Sequence, residues 1–280
     1  MLSAALEPEQ VATRCALAVM GTIVTIRAAG GDAETGARLA MAEVERLERL
    51  WSRFRPDSDV SRLAAADGEW LRPAPETAAL LAFALRCRLE TGGSFDVTAG
   101  SPSGGRLEAD RNGRFRMVGG ARVDLGGIGK GAAAARVVAV LAEYGATSAV
   151  VNFGQSSIGL LGTPAGQDAW QVGIRRPAAS SDQIVGALRV QRGFVSTSGD
   201  YEQRSARANH ILDPWTGLPA DSGVRSATVV CDDGARAEAL STALIVLGVD
   251  AGLALHARLG GFDAVLVTAG GEIVTTPGLA

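Results

Sequence analysis

The sequence predicts a mixed α+β fold, with largely antiparallel sheets and helices packed against them. Three observations carry that prediction. Short apolar β candidates follow one another at hairpin spacing in the second half, and amphipathic helical stretches interrupt the first. Third, 47% of the 280 residues are hydrophobic, enough to bury a sizeable core, as one large domain or two closely joined ones, of which a single domain over residues 1–280 is the expectation.

In order, Val11 to Val19 and Ile23 to Ala28 read as strands joined through Met20-Gly21-Thr22. From Asp32 a helical pattern runs to about Trp51, with Ala40, Val44, Leu47 and Trp51 on one face. Ser52 to Glu69 is polar, with Arg53, Arg55 and Arg62 among Pro56, Asp57, Ser58 and Asp59, and reads as solvated surface or as a loop over a binding face. A second helix starts near Pro75 and stops at Gly92-Gly93, as proline in a first turn and glycine past a last turn dictate. Ser101 to Gly120 has little periodicity and reads as a hairpin or loop. A helix from Lys130 to Tyr144 ends at Gly145, and the almost wholly apolar Ser148 to Phe153 predicts a central strand buried on both faces. Ile158 to Leu161, Trp170 to Ile174, Gly186 to Gln191 and Phe194 to Thr197 follow as short strands. The chain closes with a strand, Val224 to Cys231, helices Gly234 to Leu247 and Asp250 to Leu259, and strands Ala264 to Thr268 and Glu272 to Thr275.

Charge narrows the function. With 27 basic and 30 acidic residues spread along the chain and a net charge of -3, there is no polycationic surface, which argues against nucleic acid as a partner. Three scattered cysteines, Cys15, Cys87 and Cys231, predict reduced, buried thiols rather than a disulfide framework or a zinc cluster. The first ten residues carry Glu7 and Glu9 with no basic start or apolar core, and no transmembrane run is evident; the expectation is a cytoplasmic protein.

The stretch that carries chemistry is Val123 to Arg136: a short apolar strand broken by Asp124, glycines at 126, 127, 129 and 131 around Lys130, then an alanine run opening a helix. Glycines let backbone approach a ligand, amides at a helix start carry partial positive charge, and Lys130 adds a full one, so a phosphate suits this loop. A P-loop does not fit, because Asp124 stands where its first glycine belongs and Gly131 where Ser or Thr belongs. A dinucleotide fingerprint over Gly127, Gly129 and Ala132 lacks its acidic partner, since the next strand ends on Asn152, and the corresponding nucleotide-dependent dehydrogenase stays as an alternative. A tight strand-to-helix turn with no ligand is the third reading.

Three polar clusters follow. Ser196 to Tyr201 puts hydroxyls and a glycine at the end of a strand, suited to hydrogen-bonding a ligand or to a hairpin turn. Asn209 to Gly217 places His210, one of two histidines, beside the turn dipeptides Asp213-Pro214 and Thr216-Gly217, where an imidazole could move a proton. His256 reads as packing or surface. In Ala237 to Ala243, Glu238 and Thr242 share a helix face, and their oxygens suit either the helix's own capping and surface or a magnesium ion (Mg2+) that also takes phosphate oxygens.

Together with Ser52-Arg53-Phe54 and Phe95-Asp96-Val97-Thr98, these segments occur in an order and spacing that resembles the ApbE family of FAD:protein FMN transferases, over about residues 18 to 270. The resemblance implies a duplicated, T-fold-like core and Mg-dependent transfer of FMN from FAD to a Ser or Thr hydroxyl of an acceptor protein, with release of AMP. It implies further that Glu238, Thr242 and the carbonyl of Gly129 bind the metal. Lys130, Gly126 and Gly127 would contact the FAD phosphates, and Met20, Ser198 and Gly199 would line the flavin or adenine pocket. His210 would contact the reacting phosphate and, with Lys130, serve catalysis. An FAD-binding protein or an FAD pyrophosphatase without transfer is the alternative within this resemblance. The chain departs from the family pattern at Glu238, where aspartate is usual, at Gly154-Gln155-Ser156-Ser157, where a second glycine and Asp or Asn are usual, and at Ala64, where asparagine is usual.

Overall fold

The computed structural model describes residues 13–102, 104–177, 183–199 and 211–279. Its main element is an eight-stranded sheet built from β1 (Thr13–Val19), β2 (Thr22–Ala29), β5 (Ser148–Phe153), β6 (Ser157–Leu161), β9 (Gly193–Gly199), β10 (Val224–Cys231), β11 (Phe262–Thr268) and β12 (Ile273–Thr275), in that spatial order. Every neighbouring pair is antiparallel. The expected mixed, antiparallel architecture is thus observed. A dinucleotide-binding fold has no parallel sheet to rest on among the described residues.

Both faces of the sheet are covered, which explains the apolar run of β5. Ala149, Val151 and Phe153 belong to the core under the helices, whereas Val150 belongs to a separate core under a hairpin of β7 (Trp170–Arg175) and β8 (Ile184–Val190). Alternation along one strand therefore feeds two apolar layers. On the helical face, α1 (Ala33–Trp51), α4 (Gly129–Glu143) and α5 (Gly234–Leu259) lie side by side, over β1–β2, β5–β6 and β9–β11 respectively. α3 (Pro75–Glu90) packs against α1 and α5.

Several local expectations change. Part of the polar stretch after Trp51 is a helix, α2 (Asp59–Ala65), capped by the Ser58 side chain, which accepts from Ser61 N at 3.0 Å. Its first residue, Asp59, is buried because Ala74 N and the Thr77 hydroxyl donate to it at 2.9 and 2.7 Å, so a polar sequence fills an interior place. The expected strand at Val123 to Leu125 does not form; Asp124 N makes one bond, to Val97 O at 2.8 Å, and no ladder follows. Residues 101–120 contain the hairpin of β3 (Arg106–Ala109) and β4 (Phe115–Val118).

The two final helices are one element with a break at Gly248, whose φ of 78° only glycine adopts readily; Ser222 Oγ, donating to Ile245 O at 2.6 Å, ties down the turn before the break. By length and apolarity α5 could cross a membrane, contrary to the expectation of no such run, yet half of its apolar window is buried inside the protein, the signature of a core helix.

Candidate active site

A cleft of about 830 Å³ opens above the start of α4, and its walls come from segments far apart in the chain. The Gly-rich loop forms one wall. Asp124 Oδ1 accepts from Gly126 N at 2.9 Å and Oδ2 lies 3.3 Å from Arg53 Nη1, fixing the loop's entry, and Gly129 N donates to Leu125 O at 2.7 Å as α4 begins. Lys130 therefore stands in the first turn of α4, its Nζ donating to Gly126 O at 2.9 Å.

α5 forms the opposite wall, and its position is set by a close backbone approach to α4. A Cβ on Gly131 would lie 2.0 Å from Gly234 O, and one on Gly234 would lie 2.3 Å from Gly131 O. No side chain fits between the two starts. This crossing brings Glu238, one turn into α5, against Lys130: Nζ is 2.7 Å from Oε1, and Gly131 N donates to Oε2 at 2.7 Å. One turn further on, Thr242 donates its hydroxyl to Glu238 O at 3.0 Å and lies 3.2 Å from Ser198 Oγ, which is also 2.8 Å from Ser241 Oγ. A Cβ on Gly127 would come within 3.3 Å of Thr242 Oγ1, so the absent side chain keeps loop and helix in register.

Gly126, Gly127, Lys130, Ser198, Gly199, Glu238 and Thr242 all line this one cleft. Two expected residues do not line it. Met20 packs on the core and its N donates to Glu48 Oε1 at 3.0 Å, leaving Gly21 at the rim. The Cα of Gly129 faces Trp51 and Leu125, as a residue opening a helix over the core must, and the expectation for its carbonyl is untouched by that packing. His210 lies outside the described residues. His256 is remote from the cleft in its contacts, edge-on to Phe262 at 5.1 Å, in keeping with packing.

Other lining residues had no assigned role from sequence. Arg53, Val60, Ser61 and Ala64 bring the stretch from Trp51 to Glu69 into the wall of the cleft. Arg122 adds a second guanidinium, and Asp96 holds its own turn by accepting from Thr98 N at 2.8 Å and Thr98 Oγ1 at 2.7 Å while Arg88 pairs with its other oxygen. The signal for Lys130 is compositional: it is the single lysine of the chain, the remaining basic residues being arginine.

The donor chemistry suits a hard cation in part. Glu238 is 3% exposed and offers a carboxylate, and the Thr242 hydroxyl, having donated to a carbonyl, keeps lone pairs for acceptance. Among the described residues no three His, Cys, Asp or Glu side chains gather to cage a metal, so an ion here would need water and phosphate oxygens to complete its shell. The lysine ammonium stands beside Oε1, 2.7 Å away.

A family model described as ApbE family matches residues 20–104 and 105–266. The chain belongs to the ApbE family. A Klebsiella pneumoniae (strain 342) relative named FAD:protein FMN transferase is 34% identical over 159 residues, which cover 55% of this chain and 48% of the relative. This ApbE-family chain therefore spans about half the length of that relative. The crystal structure of the ApbE protein from Thermotoga maritima superposes with a TM-score of 0.84 at 27% identity, covering 95% of this chain and 97% of that one. The apo form of Pseudomonas stutzeri flavinyl transferase ApbE gives 0.80 at 27% identity, with 96% of each chain covered.

Proposed function

We propose that this ApbE-family chain transfers FMN from FAD to a Ser or Thr hydroxyl of an acceptor protein and releases AMP. The observation that carries this reading is the meeting of Lys130 and Glu238, 2.7 Å apart, on facing walls of one cleft of about 830 Å³. Phosphoryl transfer asks little covalent work of a protein; it needs an in-line attacker and leaving group and neutralised phosphate oxygens. In the reaction an acceptor oxygen–phosphorus bond forms, the pyrophosphate P–O bond breaks, AMP departs on the phosphate oxygen, and the hydroxyl proton passes from the attacking oxygen to solvent or to the departing phosphate, with His210 as its carrier.

Lys130 and the guanidiniums of Arg53 and Arg122, which line the cleft, bind and orient the diphosphate. Glu238 and Thr242 would hold the magnesium ion, which when bound supplies charge to the phosphate oxygens. Ser198 and Gly199, at the end of β9, line the pocket for a ring. His210 takes the proton-handling and phosphate-orienting role that the resemblance implies.

The test is incubation with FAD and magnesium, with and without a partner peptide carrying an acceptor Thr, followed by quantifying AMP and covalent fluorescence. AMP together with a fluorescent peptide supports the transferase. AMP and free FMN without labelling would make the chain a pyrophosphatase, and binding without AMP would make it an FAD holder. Glu238→Gln should lower AMP release on the order of a hundredfold or more, the scale seen when a charge-stabilising group is removed.

A further inference from the structure

The cleft holds an ion pair unlike the arginine pairs elsewhere among the described residues. Glu43, Glu76, Glu108, Asp110 and Asp168 all pair with arginine, whereas Glu238 pairs with the chain's single lysine. An ammonium is a compact point charge on a flexible stem, and a guanidinium is a planar fork; only the former resembles a small cation in size and mobility. Glu238's side chain is 4% exposed and Lys130's 18%, so the carboxylate needs a positive partner wherever it is buried, whether or not another cation is present.

From this contact we propose that Lys130 is the resident counter-ion of Glu238 and that a divalent cation must displace it from Oε1. Lysine and metal are then alternatives at one oxygen. The displaced ammonium, on a flexible stem in the same cleft, becomes available to the diphosphate, so that loading of the cation primes the cleft for its anionic substrate. The inference rests on the reading of Glu238 and Thr242 as metal ligands and adds to it a built-in competitor. It also gives the additional methylene of Glu238 a role: the longer side chain reaches Lys130 Nζ and Gly131 N together, at 2.7 Å each.

The experiment measures manganese binding to the full chain without FAD, by calorimetry or by the paramagnetic signal of the free ion. Lys130→Met should bind manganese more tightly than the parent by on the order of tenfold, the usual size of coupling between two competing ligands. Glu238→Gln should abolish binding. Equal or weaker affinity in Lys130→Met, with binding still lost in Glu238→Gln, overturns the competition and leaves the ligand assignment standing. Undiminished binding in Glu238→Gln overturns both. Should Lys130→Met fail to fold, the parent protein decides alone: acylation of Lys130, followed by peptide mass mapping, should speed up several-fold when magnesium is added. An unchanged or slower rate overturns the proposal.

Discussion

Glu238, Lys130 and Thr242 were legible in the sequence as chemical types, because a carboxylate and a hydroxyl four residues apart and a lysine among glycines each suit a phosphate–metal site. Their contact was not legible, since Gly131 and Glu238 are 107 positions apart and nothing local encodes a pairing of that range. The thiols show the same division. Composition predicted buried, reduced cysteines, and Cys87 and Cys231 are free and buried; the side chain of Cys15 is outside the description. Burial pushes the Cys87 thiol up to about 12, helped by the nearby Glu90 charge, and the Cys231 thiol up to about 11. At pH 8 the thiolate fraction of each is therefore minute. A disulfide reagent should leave both unlabelled in the native protein over an hour and label both within seconds in urea, as peptide mass mapping would check. Rapid native labelling of either would contradict the packing described here.

The elements themselves divide into those with local signals and those held by tertiary contacts. α1 and α3 were legible because a cap, a proline and periodic apolar residues mark their ends and faces. α2 was not, because it is short and its buried face, Asp59, Val60 and Leu63, opens on a carboxylate whose partners, Ala74 and Thr77, lie in another part of the sequence. The strand expected at Val123 to Leu125 failed for a related reason: Val123 and Leu125 join the main hydrophobic core, so apolarity there reports burial rather than a ladder. The crossing of α4 and α5 is the element-level feature on which the cleft depends. Gly131→Ala would set a methyl 2.0 Å from Gly234 O and force the two helix starts apart. We expect a loss of about 2 kcal/mol or more in chemical unfolding, as overpacked cores show. The same variant should bind FAD much more weakly even below its unfolding temperature, because Lys130 and Glu238 ride on the displaced helices. Thermal shift and flavin fluorescence titration would measure the two effects separately.

For the whole molecule, the hairpin spacing made an antiparallel sheet legible, whereas the strand order was not, since β2 pairs with β5 and β6 with β9 across long intervening segments. The helical layer is tied in a different way. Arg46 bridges Glu43 on its own helix to Glu76 on α3, and Arg136 of α4 reaches the same Glu43. The Arg46 hydrogen bond, seconded by Arg136, holds the Glu43 carboxyl below its ordinary value of 4.5, against the opposing effect of burial. A depressed folded-state value means that this stabilisation is complete above the unfolded carboxyl's range and is lost as pH falls through the depressed one. Glu43→Gln should therefore cost on the order of 1 kcal/mol at pH 7 in urea unfolding. The gap between variant and parent should close as the pH is taken below that range, and a gap that persisted in acid would assign the loss to packing instead.

The long-range bond between Gly131 and Glu238 also bears on when, during synthesis, the molecule can first hold a ligand. A ribosome that has delivered everything up to β10 has produced the basic loop and most of the sheet, but not the acidic face opposite. Any nucleotide meeting that nascent chain would find half a socket. On the function proposed above, uptake would wait for the last helix to emerge and dock, and a product truncated before that helix should fail to retain FAD.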